Sequence, residues 1–325
     1  MRSRLRLYLA AALLWPALLW SAPGLAQAYP AKPLRLVVPF GPGGVADITA
    51  RIVAPKISEG LGQAIVIENK PGAGGAVAGQ EVANAAPDGY TLLLFSNANG
   101  VSKALFKSLP YDPDRDFALI STLAFFPLVI LADPKSPLAT VASIVAEAKR
   151  HPGRMNIATI GIGSTQHLAA ELFRSVAGID AQVVPYKATG EVVAAAKSGD
   201  ASLAFENLAP VLSHIRSGSL RAVAVTGARR VAALPDVPTV IEGGLAGYDV
   251  ASWNGFAAPA RTPRPVIDRL HKEIAGALAA PGVLKRFAEL GVEGRASTPE
   301  ELRDFHLAES QRWRRVVEAA KIPKQ

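Results

Sequence analysis

Two glycine-rich segments carry residue types that bind anions through the protein backbone. The first, PFGPGGVAD at residues 39–47, follows an apolar run at residues 34–38, and the second, TIGIGSTQH, occupies residues 159–167. In each segment we expect a strand to end at the glycines and a helix to begin after them, so that the free N–H groups of its first turn point at whatever occupies the loop. Two such loops facing each other would hold a small molecule at both ends.

A carboxylate suits this arrangement, because each hydrogen bond to a charged acceptor contributes roughly 1.5–3 kcal/mol and the helix dipole adds a smaller amount. Ser164 and Thr165 add hydroxyl donors to the second loop. Asp47 would repel a carboxylate if it pointed inward, so we expect it to form hydrogen bonds at the start of its helix and to shape the first loop. The predicted ligand is a small organic anion.

The glycine segments do not match the nucleotide-binding motifs. No lysine follows the glycines at residues 41–44, 72–75 or 161–163, as a phosphate-binding P-loop requires. The dinucleotide motif G-x-G-x-x-G also lacks its third glycine at residues 72–77 and 161–166. A tight connection without a ligand is the alternative interpretation of either loop alone, and the occurrence of two such loops favours binding.

The sequence does not contain a recognisable catalytic or metal-binding set. There is no cysteine, and no two of the five histidines have metal-ligand spacing. Ser164 and His167 are too close in sequence to indicate a nucleophile and its base, and no G-x-S-x-G motif surrounds the serine. We therefore expect no catalytic residue, metal or cofactor, and a secreted enzyme acting on a carboxylated substrate is the less favoured alternative. His167 either lies near the ligand or is a structural histidine at a helix start.

The N-terminal residues predict export from the cytoplasm. Arg2, Arg4 and Arg6 precede an uncharged apolar stretch at residues 7–20, and an A-x-A cleavage site ends at Ala28. A membrane anchor would need about 20 continuous apolar residues, whereas this stretch is interrupted by Pro16. We expect a signal peptide at residues 1–28, cleaved after Ala28, and a soluble protein in the periplasm.

Composition limits the remaining classes. A chain of 325 residues commonly divides into two domains, and 50% hydrophobic with only 6% aromatic residues suits layers of helix on sheet. The net charge of +8 is not concentrated in tracts of lysine and arginine interleaved with aromatic residues, so we expect no nucleic-acid partner.

The hydrophobic pattern predicts two successive α/β units. In the first unit, strands alternate with helices, and the strands lie at residues 34–38, 64–68 and 91–95 and the helices at 46–61 and 76–85. In the second unit, the predicted strands lie at residues 156–159, 182–185, 201–205 and 221–226, and the helices at 141–150, 165–176, 191–197 and 210–217.

Two further strands are predicted to join these units, at residues 117–132 and 248–258. Terminal helices follow, and the last begins with a capping box between Thr298 and Glu301. The expected fold is α/β, with two lobes that are each a mostly parallel sheet flanked by helices. Residues 29–128 and 248–325 form lobe 1, residues 129–247 form lobe 2, and the ligand cleft lies between them.

Six motifs in this order resemble one known family. Besides the two glycine segments they are ENKPGAGG at residues 68–75, PDGYTL at 87–92, VPYK at 184–187 and LPDVPT at 234–239. The chain resembles the Bug family, the periplasmic substrate-binding proteins of tripartite tricarboxylate transporters. The resemblance implies a monomeric, hinge-linked binding protein of the Venus-flytrap, type II-like form. Such a protein closes on a small carboxylate or related compound and delivers it to a membrane permease. A ligand receptor for a sensor kinase is the alternative.

In that family the ligand lies between the two glycine loops, with ordered water helping to hold the acid group. The strand ends near residues 184–187 and 205–207 contribute as well. The candidate ligand-binding residues implied here are Phe40, Gly41, Pro42, Gly43, Gly44, Asp47, Asn97, Thr159, Gly161, Gly163, Ser164, Thr165, His167, Tyr186, Lys187, Glu206, Asn207 and Trp253. Trp253 either lies at the floor of the cleft or packs in the hinge.

The chain departs from the resemblance at two places. Ala188 and Thr189 replace glycines that many relatives have, and Glu206 stands where an aspartate is common. The longer acid would shrink or recharge the site, so we expect no particular ligand from the resemblance. Glu206 either receives an amine or hydroxyl of the ligand or forms a hydrogen bond to a helix start.

Overall fold

The computed structural model describes residues 29–319 and 321–324. The predicted signal peptide, residues 1–28, lies outside them. The described helices and strands all belong to the unit Lys32–Gln325. None of these helices combines the length and apolar character needed to cross a membrane.

The first half of the sheet contains three parallel strands in the order β2-β1-β3. These strands are β1 (Leu34–Val38), β2 (Ile65–Asn69) and β3 (Thr91–Ser96). The helices that follow them are α1 (Val45–Leu61), α2 (Ala76–Ala83), which a short 3₁₀ turn precedes, and α3 (Asn97–Leu105). The sequence did not predict α3.

The second half has the same arrangement, with three parallel strands in the order β7-β5-β6. Its strands are β5 (Met155–Ile160), β6 (Ala181–Tyr186), β7 (Leu203–Asn207) and β8 (Arg221–Val225). Its helices are α4 (Val141–Arg150), α5 (Thr165–Ala177), α6 (Thr189–Ser198) and α7 (Leu208–Arg216). The predicted elements are all present here, with ends shifted by a few residues.

Two long antiparallel strands join the halves: β4 (Phe117–Ala132) and β9 (Ala251–Pro259). The first part of β4 pairs with β9 and with the two-residue strand β10 (Glu293–Gly294). From Leu128 onward β4 pairs with β7 and β8 instead. The strand predicted at residues 117–132 therefore runs through both halves, and the exact division into lobes remains a prediction.

The C-terminal helices are α8 (Arg264–Ala279), α9 (Pro281–Glu289) and α10 (Pro299–Ala319). The predicted capping box of α10 is confirmed, since Glu301 N donates to Thr298 Oγ1 at 3.1 Å and Thr298 N donates to Glu301 Oε2 at 2.8 Å. Trp313 of α10 is fully buried in a core cluster that also contains Leu105 of α3 and Phe173 of α5. The helix thus packs against elements of both halves.

Gly255 and Gly276 provide a matched test of this packing. A Cβ at position 255 in β9 would lie 2.8 Å from the carbonyl oxygen of Ser121 and 3.1 Å from Leu302 Cδ2, whereas a Cβ at position 276 in α8 would meet open space. We expect Gly255→Ala to lower the free energy of unfolding by roughly 1–3 kcal/mol and Gly276→Ala to raise it by about 0.5–1 kcal/mol. Urea unfolding followed by circular dichroism measures both changes. A neutral Gly255→Ala would contradict the close approach of β9 to β4.

Candidate functional site

A small enclosed cavity lies where the carboxyl ends of β1, β3, β5 and β7 meet. Its volume of about 20 Å³ leaves room for roughly one water molecule. None of the described residues that line it is charged. The lining consists of Phe40, Gly44, Val45, Ala46, Ser96, Ala98, Ile160, Thr165, Gln166, Asn207, Ser252 and Asn254. The first turns of α1 and α5 both contribute to this lining.

A larger open groove, of about 270 Å³, lies beside α4 and is lined in part by Glu147, His151 and Arg154. Neither glycine loop reaches it. The buried polar atoms without partners belong to other residues. The smaller cavity is therefore the candidate functional site.

Hydrogen bonds fix the shape of the first loop. Gly43 adopts a φ of +80°, which favours glycine, and its N–H donates to Asp47 Oδ2 at 3.0 Å. Arg51 Nε donates to the other Asp47 oxygen at 2.9 Å. Asn69 Nδ2 donates to the Phe40 carbonyl at 3.0 Å. Asp47 therefore fixes the shape of the first loop through hydrogen bonds, which is the role expected of it.

The charge of Asp47 is matched locally. Burial alone would raise the pKa of this carboxyl, but the hydrogen bonds from Arg51, Gly43 and Asn69 outweigh burial and hold the pKa below its usual value. The carboxylate is thus compensated by its own partners and does not enter the cavity lining.

The second loop uses its serine to start α5. Ser164 Oγ accepts from the His167 N–H at 3.1 Å, an N-cap bond, and donates to the Ile160 carbonyl at 2.9 Å. Gly163 turns the chain with a φ of +84°. The Ser164 hydroxyl is therefore committed to the backbone, and the neighbouring Thr165 lines the cavity.

Thr165 links elements from both halves. Its Oγ1 accepts from Asn97 Nδ2 at 3.3 Å, at the start of α3, and from Ser252 Oγ of β9 at 3.0 Å. Both acceptor positions of the Thr165 hydroxyl are thus occupied, and its proton is available for donation to another group.

The first loop also touches the start of α6. A Cβ on Gly41 would lie 3.3 Å from Ala188 Cβ, and one on Gly44 would lie 3.5 Å from Thr189 Oγ1. Phe40 and Tyr186 pack against the same core cluster, which α6 and α7 contribute to. Residues 188–189, where the chain departs from the family pattern, therefore form part of the contact between the halves.

Several buried polar atoms without a partner among the described residues belong to predicted site residues or to Thr189. They include Asn97 Oδ1, Thr159 Oγ1, His167 Nδ1, Thr189 Oγ1, Glu206 Oε2 and Asn207 Oδ1. Such groups are nearly always hydrogen-bonded in folded proteins. Most of these atoms accept hydrogen bonds, so they suit a water or a ligand group that carries protons.

Glu206 directly precedes the lining residue Asn207, and its side chain is fully buried. Its Oε1 accepts from Gln166 Nε2 at 2.7 Å and from the Asn207 N–H at 2.9 Å. Burial raises the pKa of Glu206 to about 7, against the opposing effect of these two donors and of the nearby Thr189 hydroxyl. Thr189 lies close enough to favour the ionised form but is not placed for a hydrogen bond.

His167 is neutral at physiological pH. Burial lowers its pKa to about 4, and the positive charge of Arg174 adds to this effect. Its Nδ1 has no partner among the described residues.

The other candidate residues occupy different positions. Gly161 and Pro42 belong to the loops, and Lys187 is exposed, with its N–H donating to Glu191 Oε2 at 3.0 Å. Trp253 is buried on the opposite face of β9, where its ring contacts Phe95 and Phe305. Its neighbours in β9, Ser252 and Asn254, line the cavity instead.

Sequence reasoning missed several lining residues: Val45, Ala46, Ser96, Ala98, Ile160, Gln166 and Ser252. Gln166 lies within a motif that was recognised, whereas a single serine at the end of a strand has no local signal. Among residues 29–319 and 321–324, no group of three or more histidines and carboxylates is placed to hold a metal ion.

Glu206→Gln tests the burial of this acid. Because the folded-state pKa of about 7 exceeds the ordinary value of 4.5, the stability that depends on the protonated acid is complete below pH 4.5 and is lost as the pH rises to about 7. Glutamine keeps the acceptor without the charge. We compare the free energy of unfolding of the variant with that of the wild type. We expect this difference to shift in favour of the variant by about 2 kcal/mol from pH 5 to pH 8. Urea unfolding at both pH values measures this, and an equal difference at the two would contradict the raised pKa.

Comparisons with known proteins agree with this geometry. Residues 49–322 match the model of the tripartite tricarboxylate transporter family receptor, TctC. Protein BugT of Bordetella pertussis is 37% identical over 299 residues, which cover 91% of this chain and 92% of BugT.

Two solved structures share the fold. The periplasmic binding protein BugD has a TM-score of 0.87 and 33% identity, covering 91% of this chain and 100% of BugD. The malate-bound protein MatC of Rhodopseudomonas palustris has a TM-score of 0.85 and 32% identity, covering 89% of this chain and 100% of MatC. The predicted fold class, an α/β periplasmic binding protein, is confirmed. The chain therefore belongs to the tripartite tricarboxylate transporter receptors, the TctC or Bug family that its motifs indicated.

Proposed function

We propose that this protein is a periplasmic receptor that captures a small carboxylate in the cavity between α1 and α5. It then delivers the carboxylate, as a monomer, to a tripartite tricarboxylate-type permease. The observation that carries the proposal is the meeting of two helix starts at one buried cavity, in which Gly44, Val45 and Ala46 face Thr165 and Gln166.

Helix starts suit an anion because their first N–H groups have no partner within the helix. The N-cap of α1 is a glycine, Gly44, whose lack of a side chain leaves these N–H groups without a side-chain cap. The hydroxyl proton of Thr165 adds a further donor. A carboxylate would thus be held by neutral dipoles, with no lysine or arginine in the lining.

The cavity volume implies movement on binding. At about 20 Å³ the cavity is smaller than a dicarboxylate such as the malate held by MatC. The first loop must therefore separate from Ala188 and Thr189 to admit such a ligand. Because β4 is the strand that pairs with strands of both halves, bending is proposed to occur along it.

The arrangement of Ser164 and His167 in the second loop supports ligand binding without catalysis. The Ser164 hydroxyl donates to the Ile160 carbonyl, so its proton is not directed at His167. The family and the fold are also those of solute-binding proteins. We therefore propose ligand capture without turnover.

Isothermal titration against malate, succinate, citrate and monocarboxylates tests the binding function. We expect one of them to bind with 1:1 stoichiometry, and absence of binding across the panel would contradict the proposal. Asn207→Asp adds a negative charge to the lining, and repulsion of about 1–4 kcal/mol between unit charges roughly 4 Å apart should weaken binding at least about fivefold.

Asn156→Asp is the matched control, because Asn156 lies on β5 and donates to the Asp200 carbonyl away from the cavity. Its affinity is expected to equal that of the wild type. Equal losses in both variants would show that general charge, and not the cavity, determines affinity.

Delivery is tested separately in cells that contain the permease. Deleting the gene of this chain should abolish uptake of the bound carboxylate at micromolar concentration, and restoring the wild type but not Asn207→Asp should recover it. Undiminished uptake after deletion would contradict delivery and favour a sensing role.

A further inference from the structure

If the cavity binds an anion, as proposed, the charge of an ionised Glu206 would repel that anion. The acid is fully buried, and both residues that donate to its Oε1, Gln166 and Asn207, line the cavity proposed to hold an anion. An ionised Glu206 would face a second negative charge in a site of low dielectric, where such repulsion is strong.

The second oxygen of Glu206 is directed away from these donors. Oε2 has no partner among the described residues, and the same is true of the neighbouring Thr189 Oγ1. That hydroxyl is 3.5 Å from the position a Cβ on Gly44 would occupy, and Gly44 lines the cavity. Glu206 therefore has one unsatisfied carboxyl oxygen, and the neighbouring Thr189 lies where the first loop contacts the start of α6.

No cation compensates this carboxyl. The adjacent strand β4 contains no ionisable residue, and α7 begins with three apolar residues. On α5, His167 is neutral and Glu171 is paired with Arg174 at 3.6 Å. The remaining ionisable groups nearby are Lys187 and Glu191 at the start of α6 and the pair Asp47 and Arg51 of α1. None of them bonds to Glu206 or shifts its titration.

We propose that Glu206 binds the ligand as the neutral acid, with Oε2–H donating a hydrogen bond to a carboxylate oxygen, so that each anion captured while Glu206 is ionised is accompanied by the uptake of one proton from solvent. This inference rests on the proposed function. When the ligand binds, the ionised Glu206 carboxylate gains a proton and the ligand keeps its negative charge. The site therefore gains the charge of the ligand and loses the charge of Glu206.

The neutral acid satisfies both constraints at once. It removes the repulsion between two anions, and it supplies the donor that a carboxylate accepts. Because burial raises the pKa of Glu206 to about 7, this proton uptake occurs in the physiological pH range.

Titration calorimetry between pH 6 and 8.5 tests the proposal with malate, succinate, adipate and citrate as probes. For the probe that binds, we expect the dissociation constant to rise roughly thirtyfold over this range. At pH 8, experiments in phosphate and Tris buffers, which differ in ionisation enthalpy, should show uptake of nearly one proton per ligand.

Glu206→Gln mimics the neutral acid. It is expected to bind with the affinity that the wild type has at pH 6, to show no pH dependence and to take up no proton. Glu171→Gln is the matched control, since Glu171 is also a partly buried acid of raised pKa, but it is paired with Arg174 and not with residues that line the cavity. It should keep the wild-type pH dependence.

The remaining outcomes distinguish the two proposals. If a probe binds with an affinity that is independent of pH and without proton uptake, the proton proposal is overturned and the binding function stands. Loss of binding by folded Glu206→Gln at pH 6 also overturns it, because the ionised acid would then be the required acceptor. If no probe binds at any pH, the proposed function fails and the proton proposal fails with it.

Discussion

The architecture depends on the meeting of two helix starts over a cavity without charged lining. An anion can be stabilised there because the first N–H groups of a helix are unpaired within it. The charged groups that shape the site are neutralised by their own partners, as Asp47 is by Arg51 and Gly43. Glu206 is the exception, a buried acid with one satisfied oxygen. Its protonation state then determines how well the site accepts a second negative charge.

The sheet sets the positions of these groups, and long-range electrostatic interactions are not needed to align them. Parallel strands in each half present their carboxyl ends to the same region, which is where ligands bind in open α/β sheets. The strand β4 runs through both halves, β9 lies between β3 and β4, and Trp313 of α10 packs in a core cluster with residues of α3 and α5. The two loops therefore meet because the whole core aligns them, while only local contacts, such as Gly41 with Ala188, hold them together.

Much of this was predictable from the sequence, because apolar runs and glycine loops are local signals. The segment of α3, NANGVSKAL, was missed because asparagine and glycine favour turns over helices. Its helix depends on tertiary packing: a Cβ on Gly100 would lie 3.3 Å from Ser310 Oγ of α10. Ser96 and Asn254 meet only through the antiparallel register of β3 and β9. Strand alternation separates Trp253 from Ser252 and Asn254, a consequence that the sequence already implied.

Native mass spectrometry of the protein purified from its own host tests whether the cavity captures a carboxylate. We expect one small organic acid per chain, retained under gentle conditions, released on denaturation and absent from the Asn207→Asp variant prepared in parallel. A bound nucleotide or uncharged solute, or an acid retained equally by the variant, would contradict capture of a carboxylate at this cavity.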